Sequence, residues 1–244
     1  MPKVRGPLQS QLRSELRTLL RNGEQLLLTL GIPVLLLVFF SLIDVLPTGT
    51  AEPIDFLAPG VLSLAVMSTA MVSLGIGTGF ERSYKVLKRL GTTPLGRGRL
   101  VAAKAASVVV VEALQFAVIA GTALALGWSP VGAVWAAGVG AVVLGTVAFA
   151  GVGLLLAGRL RGEINLAAQN ALYLVLLLFG GMVVPIDELP SVLKTAARTL
   201  PAASLSDILH WALGTGSLHA ASWPVLAAWA LVAPTAAARF FRWE

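Results

Sequence analysis

The segment FLAPGVLSLAVMSTAMVSLGIGTGF, Phe56–Phe80, runs for 25 residues without a charge. Crossing the hydrocarbon core of a bilayer as a helix takes about 20 predominantly apolar residues. A helix satisfies its own backbone polar groups there, where lipid cannot. Five more runs of this kind follow the same rule, near Gln25–Ile43, Ala105–Trp128, Val131–Gly158, Leu166–Val184 and Ala220–Ala238. The third and fourth are separated only by GWSPVG, which predicts a tight hairpin. Composition agrees: 57% of residues are hydrophobic and 12% charged, with a mean hydropathy of +0.84, against about 25% charged in soluble domains. The expected fold is an all-α polytopic membrane protein. A single six-span transmembrane domain covers residues 25–244, and a cytoplasmic segment, residues 1–24, precedes it.

The charges are distributed unevenly. Sixteen of the 18 Lys and Arg fall in the N-terminal segment, the loop between spans 2 and 3, the loop between spans 4 and 5, and the C-terminal tail. Lys194 and Arg198 are the two on the other side. Cytoplasmic loops collect Lys and Arg, so both termini and the 2–3 loop are expected in the cytoplasm, and the chain in the cell (inner or plasma) membrane. Within that loop, Arg82 to Lys104 carries seven bases and no acid. Orientation accounts for such a run, and does not exclude a second role. Tyr84, Leu87 and Leu90 or Gly91 recur every three residues, with Arg82, Lys85, Lys88 and Arg89 around them. This pattern suits a small apolar contact rimmed by charge. One interleaved aromatic gives no stacking platform, which argues against nucleic acid.

Two other segments are amphipathic. Leu8, Leu12, Leu16 and Leu19 or Leu20 recur at helical spacing beside a stripe of Arg13, Arg17 and Arg21. Such a helix either lies along the inner membrane surface or packs against the bundle. Between spans 5 and 6, Leu189, Val192, Leu193, Ala196, Ala197 and Leu200 mark an apolar face, with Pro190 near its helix start. A second start is expected at SLSD, with Ser204 as cap and Asp207 three residues on, and with Gly214 as the stop. These short helices either dip into the outer leaflet or pack on the span ends, and Trp211 and Trp223 suit that interface.

Catalytic and cofactor signals are missing. There is no cysteine, hence no disulfide or thiol chemistry, and no Gly-rich loop ending in Lys-Ser or Lys-Thr to bind ATP. The closely spaced glycines of GIGTGF, Gly75–Phe80, suit helix packing. His210 and His219 lack metal-ligand spacing and read as interfacial polar residues. The anomalous residue is Glu112, a carboxylate inside span 3, with Gln115 three residues on. Asn165, Gln169 and Asn170 in span 5 lie at similar depth and are candidate partners. The set either lines a substrate path or clasps spans together.

FERSYKVLKRLGTTPLGRGRLVAAK, Phe80–Lys104, resembles the cytoplasmic loop of ABC-2 type exporter permeases. The matching positions are Glu81 and Arg82, Leu87 and Leu90, Thr93-Pro94-Leu95 and Lys104, on a stretch more basic than the family's. GGMVVPIDELPSVLKTAARTLPAASLSDILHWAL, Gly180–Leu213, resembles the family's outer segment, with Gly180 and Gly181 before the bend and Pro185, Pro190 and Pro201 after it. The resemblance implies a permease subunit of an ATP-driven exporter. Its 2–3 loop would hold a coupling helix near Arg82–Leu90 that docks on a separate ABC ATPase, with Glu81, Arg82, Tyr84, Lys85, Leu87, Lys88 and Leu90 as coupling residues. Gly180, Gly181, Pro185 and Pro190 would form an outer gate. No cofactor is expected in this chain, since ATP and magnesium belong to the ATPase. A second permease copy, identical or related, completes the assembly. The apolar spans suit an amphipathic or lipid-like cargo. A six-span secondary transporter is the alternative, and a membrane-embedded enzyme a third reading.

Overall fold

The computed structural model describes residues 27–43, 52–86 and 96–241. Among these every regular element is helical. A π-helical turn, Leu27–Gly31, leads into α1, Ile32–Leu42. Next come α2, Pro53–Met67, a π-helical segment, Ser68–Ser73, and α3, Leu74–Ser83. Then follow α4, Gly96–Ala125, α5, Trp135–Arg159, and α6, Gly162–Phe179. A 3-10 turn, Ile186–Glu188, and the short α7, Ser191–Ala197, lead to α8, Pro201–Ala212, and α9, Ser222–Phe240. The N-terminal amphipathic segment, the start of span 1, and Leu87, Lys88, Leu90 and the Thr-Pro-Leu turn lie outside the described residues.

Among the described residues four helices are long and apolar enough to cross a membrane: Pro53–Ser83, Ala102–Ala125, Trp135–Arg159 and Gly162–Phe179. A shorter apolar helix covers Thr29–Leu42. Large apolar side chains face outward along these helices, among them Leu35, Val109, Val139 and Leu178. Such a surface suits lipid and not water.

Pro53–Ser83 is the central column. Leu57, Leu64, Met67 and Met71 are fully buried in it. Its 31 residues reach about 46 Å against a core of about 30 Å, so the column outruns the hydrocarbon. Two glycines bring its neighbours to backbone contact. A Cβ on Gly60 would lie 1.9 Å from the Met182 carbonyl oxygen, and one on Gly153 of α5 would lie 2.5 Å from that of Met71. α5 and α9 approach in the same way, with Gly151 against the backbone of Ala233 and Pro234.

Several expected boundaries move. α4 ends at Ala125, not Trp128, and α5 begins at Trp135, not Val131. The hairpin between them is opened by Gly127 (φ 98°) and Gly132 (φ 74°), left-handed positions that favour glycine. α6 begins at Gly162 and stops at Phe179, short of Val184, because Gly181 turns the chain at φ 66°. α8 starts at Pro201, so Ser204 lies inside its first turn and is not its cap. Pro fits that start because its missing N–H would have had no helical partner. Pro190 does precede α7, and Gly214 (φ 87°) does follow α8.

The helix ends form two poles. At one, Lys104 of α4 meets Glu81 of α3, and the Arg159 guanidinium of α5 lies 4.8 Å above the Phe240 ring of α9. At the other, the amide of Val134 donates to the Ala212 carbonyl at 2.7 Å, and His210 of α8 meets Phe56 of α2.

Candidate functional site

The basic pole carries the root of the 2–3 loop. The last turn of α3 is tied to three neighbours at once. Glu81 accepts from the Lys104 ammonium of α4, at 2.8 Å to Oε1 and 2.7 Å to Oε2. Arg82 donates to the carbonyls of Gly158 and Leu160, groups left open at the end of α5. The Ser83 hydroxyl donates to the Gly79 carbonyl and accepts the amide of Gly162 at the start of α6. Beyond this knot the helix stops. Lys85 adopts φ 59°, an unusual conformation for a non-glycine residue, and Val86 resumes helical backbone. Arg82 and Ser83 close the span helix and Tyr84 and Lys85 form a turn after it; the rest of the expected coupling helix near Arg82–Leu90 lies outside the described residues. Tyr84 stacks on Phe80 with ring centroids 6.0 Å apart and is 70% exposed. An aromatic that open, next to a fixed turn, is an accessible apolar contact.

Inside the spans the polar residues separate into distinct contacts. Glu112 of α4 is buried and accepts the Thr146 hydroxyl of α5 at both oxygens, at 3.0 and 2.8 Å. The expected pairing of Glu112 with the amides of span 5 is not formed. Gln115, one turn on, faces a different way. It accepts from the Thr69 hydroxyl at 2.6 Å and donates to the Thr29 carbonyl at 2.9 Å. Asn165 donates to the Gly75 carbonyl, and Gln169 donates to that of Gly153 and to Asn165 Oδ1. A Cβ on Gly75 would lie 2.1 Å from Gln169 Nε2, and one on Gly79 2.3 Å from Asn165 Nδ2. The glycines of GIGTGF thus make room for two buried amides. Asn170 points away and is exposed. These bonds join helix to helix, as a clasp does, and each satisfies a group that would be costly alone in lipid.

At the opposite pole the bend after α6 is held from two sides. Gly60 of α2 meets Met182, while the Ser206 hydroxyl of α8 donates to the Gly181 carbonyl at 2.9 Å. Pro185 and Pro190 frame the 3-10 turn and the start of α7. His210, expected at an interface, is buried: Nε2 lies 2.9 Å from the Phe56 carbonyl and Nδ1 2.7 Å from that of Ser206. Burial lowers its pKa below the ordinary value. Asp187 bonds to Lys194, which holds its carboxyl below the usual range.

Residues 8–213 match the profile of the ABC-2 type transporter family. The chain belongs to that family. It is also 26% identical over 205 residues to YvfS of Bacillus subtilis (strain 168), a protein named as a transport permease, with 80% of each chain covered. The match spans the central column, the loop root and the outer bend. This ABC-2 permease is a membrane transport component.

Several residues of the ABC-2 permease act where no sequence signal marked them. Thr29, Thr69 and Thr146 are ordinary span residues until they meet Gln115 and Glu112. Lys104 belonged to the loop motif, but its ion pair with Glu81 links residues 23 apart in sequence. Asp207 Oδ2 accepts the amide of His219 and the hydroxyl of Ser222, tying α8 to α9.

Proposed function

We propose that this ABC-2 permease is the transmembrane subunit of an ATP-driven exporter. A separate ABC ATPase docks on the 2–3 loop, and an amphipathic or lipid-like cargo moves outward by alternating access between two permease copies. One observation carries this reading. The helix end that presents Tyr84 is bonded directly to α4, α5 and α6, so a force applied at that helix end reaches three spans directly. Coupling of this kind requires contiguous packed elements.

Six spans are proposed, with α1 and α9 as the first and last and both termini in the cytoplasm. α9 has 19 residues, about 28 Å of helix, close to the core thickness. The basic pole, where Lys104, Arg82 and Arg159 gather, fits the cytoplasmic side. In the Cys-free chain, single cysteines at Ser217 and Gly96 test this arrangement. An impermeant maleimide applied to intact cells should label position 217 and spare position 96. Labelling at 96 would overturn the orientation. Copurification of an ATPase with the tagged chain tests the exporter assignment itself.

A further inference from the structure

We propose that the cavity enclosed by the bend after α6, by α8 and by the start of α9 is a binding site for a small zwitterionic group, its cationic end on Asp207 and its anionic end on Arg198. The cavity holds about 200 Å3, room for roughly six waters, which suits one lipid headgroup or a small free zwitterion.

The lining presents opposite charges from different elements, Asp207 from α8 and Arg198 from the end of α7. Asp207 uses Oδ2 to hold the architecture, at 2.9 Å from the His219 amide and 2.6 Å from the Ser222 hydroxyl. Oδ1 takes no part in those bonds. Arg198 is loosely held: Asp187 lies 3.7 Å away and is bonded to Lys194, a separation beyond hydrogen-bond length. Asp187 lines the cavity too, with its carboxylate bonded to Lys194; Asp207 and Arg198 are the other two charged side chains of the lining. His210 also lines it, with its ring nitrogens taken up by the Ser206 and Phe56 carbonyls.

Two further groups await a partner. His219 Nδ1 accepts the amide of Ala221 at 3.3 Å, which places the proton of the neutral ring on Nε2 as a donor. The Ser204 hydroxyl lies on the same wall, is buried, and has no hydrogen-bond partner among the described residues. Buried hydroxyls in native proteins are nearly always paired. A ligand with net negative charge would face Asp207, and one with net positive charge would face Arg198. A group carrying both charges answers the pair with charge-assisted hydrogen bonds. Phe56 and Ile186 offer an apolar wall for its methylenes. An ethanolamine phospholipid headgroup and a free zwitterion share this chemistry.

The test uses the full chain purified in detergent, with glycerophosphoethanolamine, a phosphodiester carrying one charge of each sign, as the free probe in calorimetric titration. Native mass spectrometry after exchange into equal phosphatidylethanolamine and phosphatidylglycerol reads the lipid source. Arg198→Gln removes the anion partner from a half-exposed position, so its circular-dichroism melt should match the parent. Asp207→Asn is the second variant. Either probe should bind, and each variant should weaken binding about tenfold or more. Selective retention of phosphatidylethanolamine, lost in Arg198→Gln, assigns the site to a lipid headgroup. Binding of the free probe alone, lost in the same variant, assigns it to a soluble zwitterion. The proposal is overturned if the free probe does not bind and the two lipids are retained equally, or if Arg198→Gln leaves binding unchanged. ATPase association is read on the same samples and does not depend on this cavity, so failure here leaves the exporter assignment standing.

Discussion

Gln115 accepts a hydrogen bond from Thr69 at 2.6 Å while donating to the Thr29 carbonyl at 2.9 Å. Both partners sit in π-helical stretches, Leu27–Gly31 and Ser68–Ser73. One side chain of α4 thus ties together the two places where spans 1 and 2 depart from α geometry. π turns occur mostly at functional positions and leave carbonyls displaced from the usual ladder, and the Thr29 carbonyl is here answered by a neighbouring helix. The second π segment divides the central column into a half that meets Met182 and His210 and a half tied to α4, α5 and α6.

Replacing Gln115 with Leu removes both bonds and leaves Thr69 without its acceptor. The expected loss is about 1–2 kcal/mol, a fall in Tm of about 2–4 °C per kcal/mol for a chain of this size. Thr69→Val should cost less, and adding it to Gln115→Leu should cost little more, because the two share one bond. Full additivity of the two changes in thermal melts would contradict the bridge.

The Thr146 hydroxyl donates to both Glu112 oxygens, and we propose that the carboxylate acts as a clasp. Glu112→Gln retains an acceptor for that hydroxyl and should be tolerated. Glu112→Leu should reduce the yield of folded protein, with Thr146→Val giving a milder form of the same defect. Size-exclusion yield and melting temperature check this. Normal assembly of Glu112→Gln with altered transport of charged cargo would instead place the carboxylate on the substrate path.

Glu81 and Lys104 fix the loop root to α4. Reversing either charge alone should lower thermal stability and weaken coupling of ATP hydrolysis to transport. The double reversal, Glu81→Lys with Lys104→Glu, should recover part of both, because the pair and not either charge is what matters. The pair is partly buried, with side chains 10% and 26% exposed for Lys104 and Glu81, so its worth should exceed the about 0–1 kcal/mol of a surface ion pair. Absence of any rescue in a double-mutant cycle would refute the assignment.

Much of this architecture is readable in the sequence, because lipid desolvation makes span length and apolarity nearly sufficient signals. Glu112 and Gln115 stand out for the same reason, since a polar group in hydrocarbon demands an account. What they bond to is not readable. Thr146 lies 34 residues from Glu112, and Thr29 lies 86 from Gln115. Threonine in a span carries no charge to mark it. The glycines of GIGTGF are legible as packing residues, yet only the fold reveals that Gln169 and Asn165 fill the space they leave. Span ends shift for a different reason: Gly127, Gly132 and Gly181 turn the chain through backbone conformations that hydropathy does not sense. The burial of His210 depends on α8 packing against the start of α2, a contact between residues 154 apart.

We propose that the loop rooted at Glu81–Ser83 transmits ATPase motion through a small apolar contact. Buried anchors dominate interface energies and exposed rim charges contribute little each. The direct measurement is copurification of the ATPase with the tagged chain, together with substrate-stimulated ATP hydrolysis, for Leu87→Asp, Tyr84→Ala and Lys88→Ala. Leu87→Asp should strip the ATPase from the complex or abolish stimulated hydrolysis while insertion stays normal. Tyr84→Ala should weaken both. Lys88→Ala should have a mild effect that grows with salt as screening removes the remaining rim charges. Leu87→Asp alters no Lys or Arg, so a loop that only sets orientation would be indifferent to it. Retention of both ATPase binding and stimulated hydrolysis in Leu87→Asp would contradict the account.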